Sequence, residues 1–303
     1  MDTSRHAYCI IAHNDYYCLE KLIALVDDPR NDIFLVLDKK SELRKRPLPK
    51  TNYSKLVTPE DSQLIDIQWG GISLMKAELL ALKIAHLYGN YAYYHLLSGV
   101  DLPLKSQDYI HDFFENVVNG KNCINFSSEN HVKEVVNNNC LYLHLFTDHQ
   151  RDKIVLRRKM CSFIRKSFIK LQKIMRYQRR WNNTKWGKGT NWVSFNHEFT
   201  DYLVRNERDI LKRFRYVLVP DEIYKHTVFL SDGFSDSKFE GNGMIKDDAR
   251  HIDWNRGGPY VWHKEDFDEL MNCPELFARK FSSDADIKII DMIYNKLKHD
   301  KKT

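Results

Sequence analysis

Two adjacent acids, Asp221 and Glu222, directly follow Pro220 and precede an apolar, helix-like run that ends at Leu230. Acids at the start of a helix satisfy free N–H groups and favour the positive end of the helix dipole. The alternative is that one carboxylate is a general base that takes a proton from a hydroxyl. Taken alone, the pair favours capping. Glycoside hydrolysis by two carboxylates also stays open for Asp101, Asp221 and Glu222, because their separation is invisible in a sequence.

Basic side chains in the C-terminal part of the chain could neutralise an anionic leaving group. Arg250 and Arg256 lie in the segment DDARHIDWNRGGPYVW, and Arg279 and Lys280 lie in LFARKF. Fixed guanidinium and ammonium groups can stabilise a departing phosphate as a metal ion does. On composition alone, ordinary surface charge is the simpler interpretation.

Metal-binding and nucleotide-binding motifs are scarce. The sequence has no CxxC, HxxxH or HExxH pattern, no GxGxxG or P-loop, and no GxSxG. The triplets Asp266-Phe267-Asp268 and Asp284-Ala285-Asp286 could hold a divalent ion against a diphosphate, but both fall in helical patterns rather than after a strand. We therefore expect no metal cofactor and interpret both triplets as structural.

The composition is that of a globular protein. The chain has 303 residues, of which 43% are apolar and 29% charged, values typical of such domains. The six cysteines show no paired spacing, which favours free thiols in a reducing cytoplasm. The apolar run at residues 7–12 is too short for a signal peptide or a membrane span. We expect one cytoplasmic domain over residues 1–303.

Strand and helix patterns alternate along the first hundred residues. Such alternation predicts an α/β fold, with a largely parallel sheet and helices on its faces. Ligands bind at the carboxyl ends of such strands, where His13, Asp38, Trp69 and residues 98–105 fall. The predicted strands are 8–12, 33–37, 64–67, 91–97 and 191–195, and the predicted helices are 15–26, 72–87, 196–205, 264–271, 274–280 and 284–297.

The segment 151–188 differs from the rest of the chain. It holds 14 Lys or Arg and one acid, about +13, whereas the whole chain is +6. Apolar residues recur within it at three- and four-residue steps, which predicts a basic amphipathic helix. Such a helix either packs on the core with a solvated basic face or lies flat on an anionic membrane. Nucleic acid is not expected, because aromatic residues are not interleaved with the charges.

Six blocks in order resemble one family. SGVDLPLKSQDYI (98–110) resembles the SGxDxPLK element of the core-2/I-branching β-1,6-N-acetylglucosaminyltransferases and peptide xylosyltransferases, glycosyltransferase family fourteen. AYCIIAHND…IFLVLDKKS, IQWGGISLMKAELLAL, GTNWVSFNHEFTDYLVRN, VPDEIYKHTVFL and LFARKF resemble further family elements. The resemblance runs from about residue 7 to residue 297.

The resemblance implies a GT-A-type fold, with a Rossmann-like, mostly parallel sheet flanked by helices. It also implies an inverting, metal-independent transfer from a UDP-sugar to a hydroxyl of a glycan. Residues 1–110 would form the nucleotide-binding half and residues 189–297 the acceptor and catalytic half, with 151–188 as an insertion. The resemblance implies that Glu222 is the base and that Lys280 and Arg256 bind the diphosphate, with Arg250 as the fallback. It implies that Asp38, Trp69 and His13 surround the uridine. Asp101, Trp192 and Asp221 are the implied substrate contacts, and Asp221 would also cap the helix.

The sequence departs from the animal members, which have an N-terminal anchor, a stem and paired cysteines. It is more similar to a bacterial cytoplasmic member that builds surface polysaccharide on lipid-linked acceptors, peripheral at the inner face of the membrane. The donor sugar is expected to be GlcNAc or xylose. Two alternatives are a non-catalytic membrane- or polyanion-binding module that uses the basic helix, and a glycan-binding or hydrolytic protein that ignores UDP.

Overall fold

The computed structural model describes residues 4–241 and 243–300 and has an α/β architecture, as predicted. In the described part of the chain the main sheet has the strand order β3-β2-β1-β4-β6. The strands β3, β2, β1 and β4 are parallel, and β6 is antiparallel to β4. The strands of this sheet are β1 (His6–Ala12), β2 (Asn31–Leu37), β3 (Lys55–Val57), β4 (Tyr93–Ser98) and β6 (Ser194–Asn196), and β5 (Asp101–Pro103), β7 (Arg250–Ile252) and β8 (Phe277–Arg279) lie outside it.

Helices cover both faces of the main sheet. The strands β1, β2 and β4 are buried along their whole length, as expected of parallel strands covered on both sides. One face packs against α1 and α10, and the other against α2, α6, α7 and α8. The helices are α1 (Tyr16–Val26), α2 (Ile72–Tyr88), α3 (Gln107–Phe113), α4 (Glu129–Asn139), α5 (Val155–Ile174), α6 (His197–Arg205), α7 (Glu207–Phe214), α8 (Tyr224–Ser231), α9 (Phe267–Asn272) and α10 (Ser283–Asp300).

A smaller sheet of the order β5-β8-β7 lies beside the main one among the described residues. The predicted helix 274–280 is wrong, because residues 277–279 form β8 between β5 and β7. The predicted strand 64–67 is also wrong. This segment is extended and accepts a hydrogen bond from Lys39 N–H at Ile65 O (2.9 Å), whereas the edge strand is β3. In both cases the backbone partner is distant in sequence, and local apolar pattern does not reveal it.

The helix α5 stands out because its apolar side chains face outward. Only Cys161 and Gln172 are buried among its described residues. Leu156, Phe163 and Ile174 are 78%, 72% and 70% exposed. The expectation that this helix packs its apolar face on the core is therefore wrong. No helix in the described ranges combines the length and the apolar character needed to cross a membrane.

Candidate active site

Residues that follow β1 and β2 meet at the carboxyl edge of the main sheet. Asp38 is buried, and its Oδ1 accepts hydrogen bonds from the N–H groups of Lys40 and Ile67 (3.2 Å each). The Ser41 hydroxyl donates to the carbonyl of His13 (2.7 Å). The loops after the two strands are thus joined, and the Asp38 carboxylate is fixed between its own loop and the segment that contains Ile67.

Positive charge converges on His13 from the second sheet. Partial burial lowers the pKa of His13, and Lys280, Arg279 and Lys40 lower it further against the opposing effect of Asp38. The imidazole is therefore neutral at neutral pH. Among the described residues, none forms an ion pair with the ammonium of Lys280. Lys280 directly follows β8, so a cation without a carboxylate partner among the described residues lies at this edge.

The Trp69 turn lies beside the acidic pair. Trp69 is 47% exposed, and the guanidinium of Arg151 lies 3.8 Å from the centroid of its indole ring. The next residue, Gly70, has a positive φ of 80°, which favours glycine. Its carbonyl accepts a hydrogen bond from Val219 N–H (3.0 Å). Since Val219 precedes Pro220, this bond holds the Trp69 turn against the turn that carries Asp221 and Glu222.

Glu222 is presented at the surface on a single turn of 3-10 helix, Pro220–Glu222. Its side chain is 37% exposed, and its Oε2 lies 2.9 Å from Nζ of Lys188. Its backbone carbonyl accepts from Gly189 N–H (3.1 Å). The Glu222 carboxylate is therefore partly exposed, with a fixed backbone and one charged partner.

Asp221 is buried beneath this turn. Its Oδ2 accepts from Asn191 Nδ2 (2.6 Å), and burial raises its pKa. In the described structure it caps neither the 3-10 turn nor α8, so the predicted capping role is wrong. The side chain is buried in this structure, and its expected substrate contact stays a prediction.

A buried ion pair supports the turn from below. Lys225 and Glu78 are both fully buried, and Lys225 Nζ lies 2.8 Å from Glu78 Oε2. The same ammonium donates to the backbone carbonyl of Asp221 (2.6 Å). Burial raises the pKa of Glu78 to about 7, although Lys225 opposes that rise. The Lys225 ammonium thus connects Glu78 of α2 with the backbone next to Glu222.

Asp101 and Trp192 meet at Arg279. The Nη1 of Arg279 donates to Asp101 Oδ1 (2.7 Å) and to the Ser98 hydroxyl. Its guanidinium lies 4.6 Å from the ring centroid of Trp192. Asp101 is 2% exposed and its carboxylate is paired with Arg279, so its expected substrate contact stays a prediction. Trp192 is half-buried and follows the segment that contacts Glu222.

The two candidate arginines are engaged elsewhere. Arg250 is buried and donates to Val193 O (3.2 Å) and the Ser194 hydroxyl (2.9 Å), so it is not at the surface as the fallback phosphate ligand. The guanidinium of Arg256 pairs with the carboxylates of Asp253, Asp266 (2.9 Å) and Glu269 (3.0 Å). The structure does not bring Arg256 to the edge as a free cation. Asp266 of the first acidic triplet is among its partners.

The sequence analysis missed Lys188, Lys225 and Glu78. A signal existed for two of them. Lys188 directly precedes the GTNW element, and Lys225 follows Glu222 by three residues, one turn of a helix. Glu78 lies within an otherwise apolar helix pattern, and its partner is 147 residues away.

A cavity of about 580 Å³ lies away from this edge. Its lining includes His6, Tyr93, His111 and Asn196. His6 begins β1 and Tyr93 begins β4, so the cavity opens at the amino ends of the strands. It is therefore separate from the edge that carries Asp38 and Lys280.

The edge described above lies at the carboxyl ends of parallel strands in an α/β fold, and sequence comparison identifies the family of the chain. A family model described as Core-2/I-Branching enzyme matches residues 6–272. The chain belongs to this family of glycosyltransferases, as the resemblance indicated. Family membership and the mostly parallel sheet flanked by helices together agree with the predicted GT-A-type fold.

Comparison with solved structures found mouse xyloside xylosyltransferase 1 in its apo form. It is 10% identical, with 90% of this chain and 96% of that chain covered, at a TM-score of 0.40. This similarity is too low to carry an argument about the site. The search of curated proteins found no match.

Proposed function

We propose that this protein is an inverting glycosyltransferase that moves a sugar from a UDP-sugar to a hydroxyl of a glycan, with Glu222 as the base. The observation that supports this most directly is the placement of Glu222. Its carboxylate is partly exposed on a turn whose backbone is held by Gly189 N–H and the Lys225 ammonium, and Gly70 O binds Val219 N–H just before the turn. Glu222 takes the proton of the acceptor hydroxyl as the oxygen attacks the anomeric carbon from the face opposite UDP. The bond to the diphosphate breaks in the same step.

The diphosphate leaves with negative charge that must be neutralised. The proposal assigns this role first to Lys280, which has no carboxylate partner among the described residues. Arg256 would have to exchange a carboxylate partner before it could reach the phosphate. At the uridine, the fixed Asp38 carboxylate would accept a hydrogen bond and neutral His13 would accept or donate one, with Trp69 beside them. No metal ion is required in this scheme.

The donor sugar proposed is GlcNAc or xylose, the sugars that the family resemblance implies. The acceptor proposed is a growing bacterial surface polysaccharide on a lipid carrier. Support for a lipid-linked acceptor comes from α5. Leu156, Phe163, Ile174 and neighbouring apolar residues form an exposed stripe, and Lys159 and Lys166 flank it. An apolar stripe with flanking lysines is the pattern of a helix that lies in an anionic membrane surface.

The position of α5 relative to the site supports the same proposal. The segment just before α5 packs on the Trp69 turn: Gln150 Nε2 donates to Gly70 O (3.2 Å), and Arg151 stacks on Trp69. A membrane-bound α5 would therefore hold Trp69 and Glu222 near the lipid head groups. The location proposed is therefore peripheral, at the inner face of the membrane.

The Glu222→Gln variant tests the catalytic proposal. Loss of the base should lower the transfer rate by about 10²–10⁴-fold, while UDP binding measured by calorimetry stays within twofold of the wild type. The matched control is Glu115→Gln, an exposed glutamate in the turn after α3. Full turnover by the Glu222→Gln variant would remove Glu222 from the role of base. A wild-type protein that bound anionic vesicles but not UDP would favour the non-catalytic membrane module.

A further inference from the structure

Three metal-ligating side chains meet on the second sheet. His251 lies in β7, Cys273 follows α9, and Glu275 lies in the connection to β8. One donor atom of each lies within 4.8 Å of the others. The Leu276 N–H donates to Ala249 O (3.1 Å) and so holds this connection against the start of β7. None of these residues belongs to the proposed transfer machinery.

The hydrogen bond of the imidazole indicates which nitrogen of His251 carries a proton. Its Nε2 lies 3.1 Å from Glu269 Oε1, and an ionised carboxylate only accepts. The proton of a neutral imidazole is therefore on Nε2, which leaves a lone pair on Nδ1. Among the described residues, Nδ1 is buried and has no hydrogen-bond partner. Stacking on Trp262, at 5.0 Å and 18°, fixes the plane of the ring.

The unpartnered nitrogen faces a second acceptor. The Oε2 of Glu275 lies 3.9 Å from Nδ1, and Glu275 is 4% exposed. This distance is too long for a direct hydrogen bond. When His251 is neutral, Nδ1 and Oε2 are two buried acceptors that repel unless a positive centre lies between them, and either a proton on Nδ1 or a bound cation supplies that centre. The Cys273 thiol adjoins both and donates a hydrogen bond to Leu270 O (3.1 Å).

We propose that His251 Nδ1, Cys273 Sγ and Glu275 bind a divalent ion of the zinc class. Imidazole, thiolate and carboxylate are the ligands that Zn²⁺ takes, with a water in the fourth position. The usual bond lengths of zinc place its ligand atoms about 3.5 Å apart. The three donor atoms lie within 4.8 Å of one another, so they would have to move closer together by about 1 Å when the ion binds. Cys273 turns from Leu270 O and loses its proton on binding.

Glu269 completes the site from outside. A histidine that binds a metal commonly donates its other ring N–H to a carboxylate, which orients the ring. The hydrogen bond between His251 and Glu269 has this form. The ion would tie the end of α9 to β7 and β8, the strand that ends beside Lys280. The site lies outside the proposed transfer machinery and does not depend on the proposed transfer reaction.

Cobalt substitution tests the site directly. Wild-type protein stripped of metal and titrated with Co²⁺ should bind one equivalent and show a thiolate-to-cobalt charge-transfer band. Zn²⁺ should displace the cobalt, and elemental analysis should count the ions. Cys273→Ser and His251→Gln should lose the band and the bound ion. Cys161→Ser and His131→Gln, which lie on other helices, should retain both.

The Glu269→Gln variant keeps all the direct ligands and tests the second contact of His251. We expect its zinc affinity to fall by about 10–100-fold, measured by competition with a chromophoric chelator. Circular dichroism confirms that each variant is folded. A folded wild-type protein without a cobalt band, an undiminished band in Cys273→Ser, or unchanged affinity in Glu269→Gln would each overturn the proposal.

Discussion

At the scale of single residues, what separates the candidate cations is their partners rather than their charge. Arg279 pairs with Asp101, Arg256 with an acidic cluster, and Arg250 donates to the Val193 carbonyl and the Ser194 hydroxyl. Lys280 has no such commitment among the described residues, and it acts on His13 electrostatically. A cation that is already paired contributes less free energy to phosphate binding, because the contact with phosphate replaces an existing contact with a carboxylate.

This difference predicts unequal effects on UDP binding. A hydrogen bond to a charged group contributes about 1.5–3 kcal/mol, so Lys280→Met should weaken UDP binding by about 10–100-fold. Arg256→Met should weaken it less, and should lower the melting temperature because its carboxylate partners are left without a cation. Calorimetry with UDP and thermal unfolding make the comparison, with Lys288→Met, an exposed lysine of α10, as the control.

The role proposed for Lys280 also predicts that transfer needs no metal ion. Transfer by the Cys273→Ser variant should continue in excess EDTA, since Lys280 and not an ion neutralises the diphosphate. The variant is used because it lacks one of the proposed zinc ligands, so loss of zinc to EDTA cannot change its activity. Equal effects of Lys280→Met and Lys288→Met, or a strict need for added Mn²⁺, would contradict the assignment.

At the scale of elements, α2 and α8 are joined through the buried pair Glu78–Lys225. Both side chains are fully buried, and their ion pair is 2.8 Å long. Removing one partner of a buried pair leaves an uncompensated charge, whereas removing both leaves an apolar contact. The pair also fixes the backbone of Asp221, so its loss should move the turn that presents Glu222.

We expect Lys225→Met to lower the free energy of unfolding by about 3–5 kcal/mol. The Glu78→Met/Lys225→Met double variant should recover most of that loss, and urea denaturation measures both. The control is Lys83→Met, which breaks the partly exposed pair Lys83–Glu207 (2.7 Å) and should cost no more than about 1 kcal/mol. A double variant less stable than Lys225→Met would show that the ion pair itself stabilises the fold.

At the scale of the whole molecule, a histidine cluster at the amino ends of the strands should set its acid stability. His95 Nε2 lies 3.1 Å from His6 Nδ1, and the rings of His6 and His111 stack at 3.9 Å. Burial lowers the pKa of His6 and His95 well below 6.5, and that of His111 to about 4. The unfolded chain therefore takes up protons first. The stability contributed by the neutral cluster is present above pH 6.5 and is lost as the pH falls towards about 4.

Below pH 6.5 the free energy of unfolding should fall by about 1.4 kcal/mol per pH unit for each histidine that takes a proton only on unfolding. Urea midpoints between pH 7.5 and 5 measure it. His95→Gln should flatten this dependence, whatever its stability at neutral pH. The exposed His131→Gln should leave it unchanged. A wild-type stability independent of pH over this interval would show that the cluster is not buried in its neutral form.

The charge distribution of the whole molecule predicts where it meets a membrane. The net charge of the chain is +6, and segment 151–188 alone carries about +13, so the rest of the chain has a net charge near −7. We expect flotation with anionic but not neutral liposomes, weakened by salt because exposed charges are screened. Replacing Lys159, Lys166 and Lys170 by Glu should abolish it, whereas the same change at the exposed Lys50, Lys121 and Lys133 should not. Binding indifferent to salt and lipid charge would contradict the electrostatic part of the proposal.

Sequence pattern alone determined much of the architecture. The apolar runs of β1 and β2 and the helical periods of α1 and α2 predicted elements at nearly their observed bounds. Six ordered blocks indicated the family. The placement of His13 and Asp38 followed from their position after parallel strands. These inferences succeeded because they depend on periodicity and order, which are local properties of the chain.

Only the tertiary structure decided the rest. It placed residues 277–279 in a strand, buried Asp221 and Asp101, paired Arg256 with acids, and turned the apolar face of α5 outward. Each outcome depends on partners far away in sequence, such as Asp101 for Arg279 and Glu78 for Lys225. A charge or a backbone segment takes its role from what desolvates and neutralises it, and that environment exists only once distant segments have packed together.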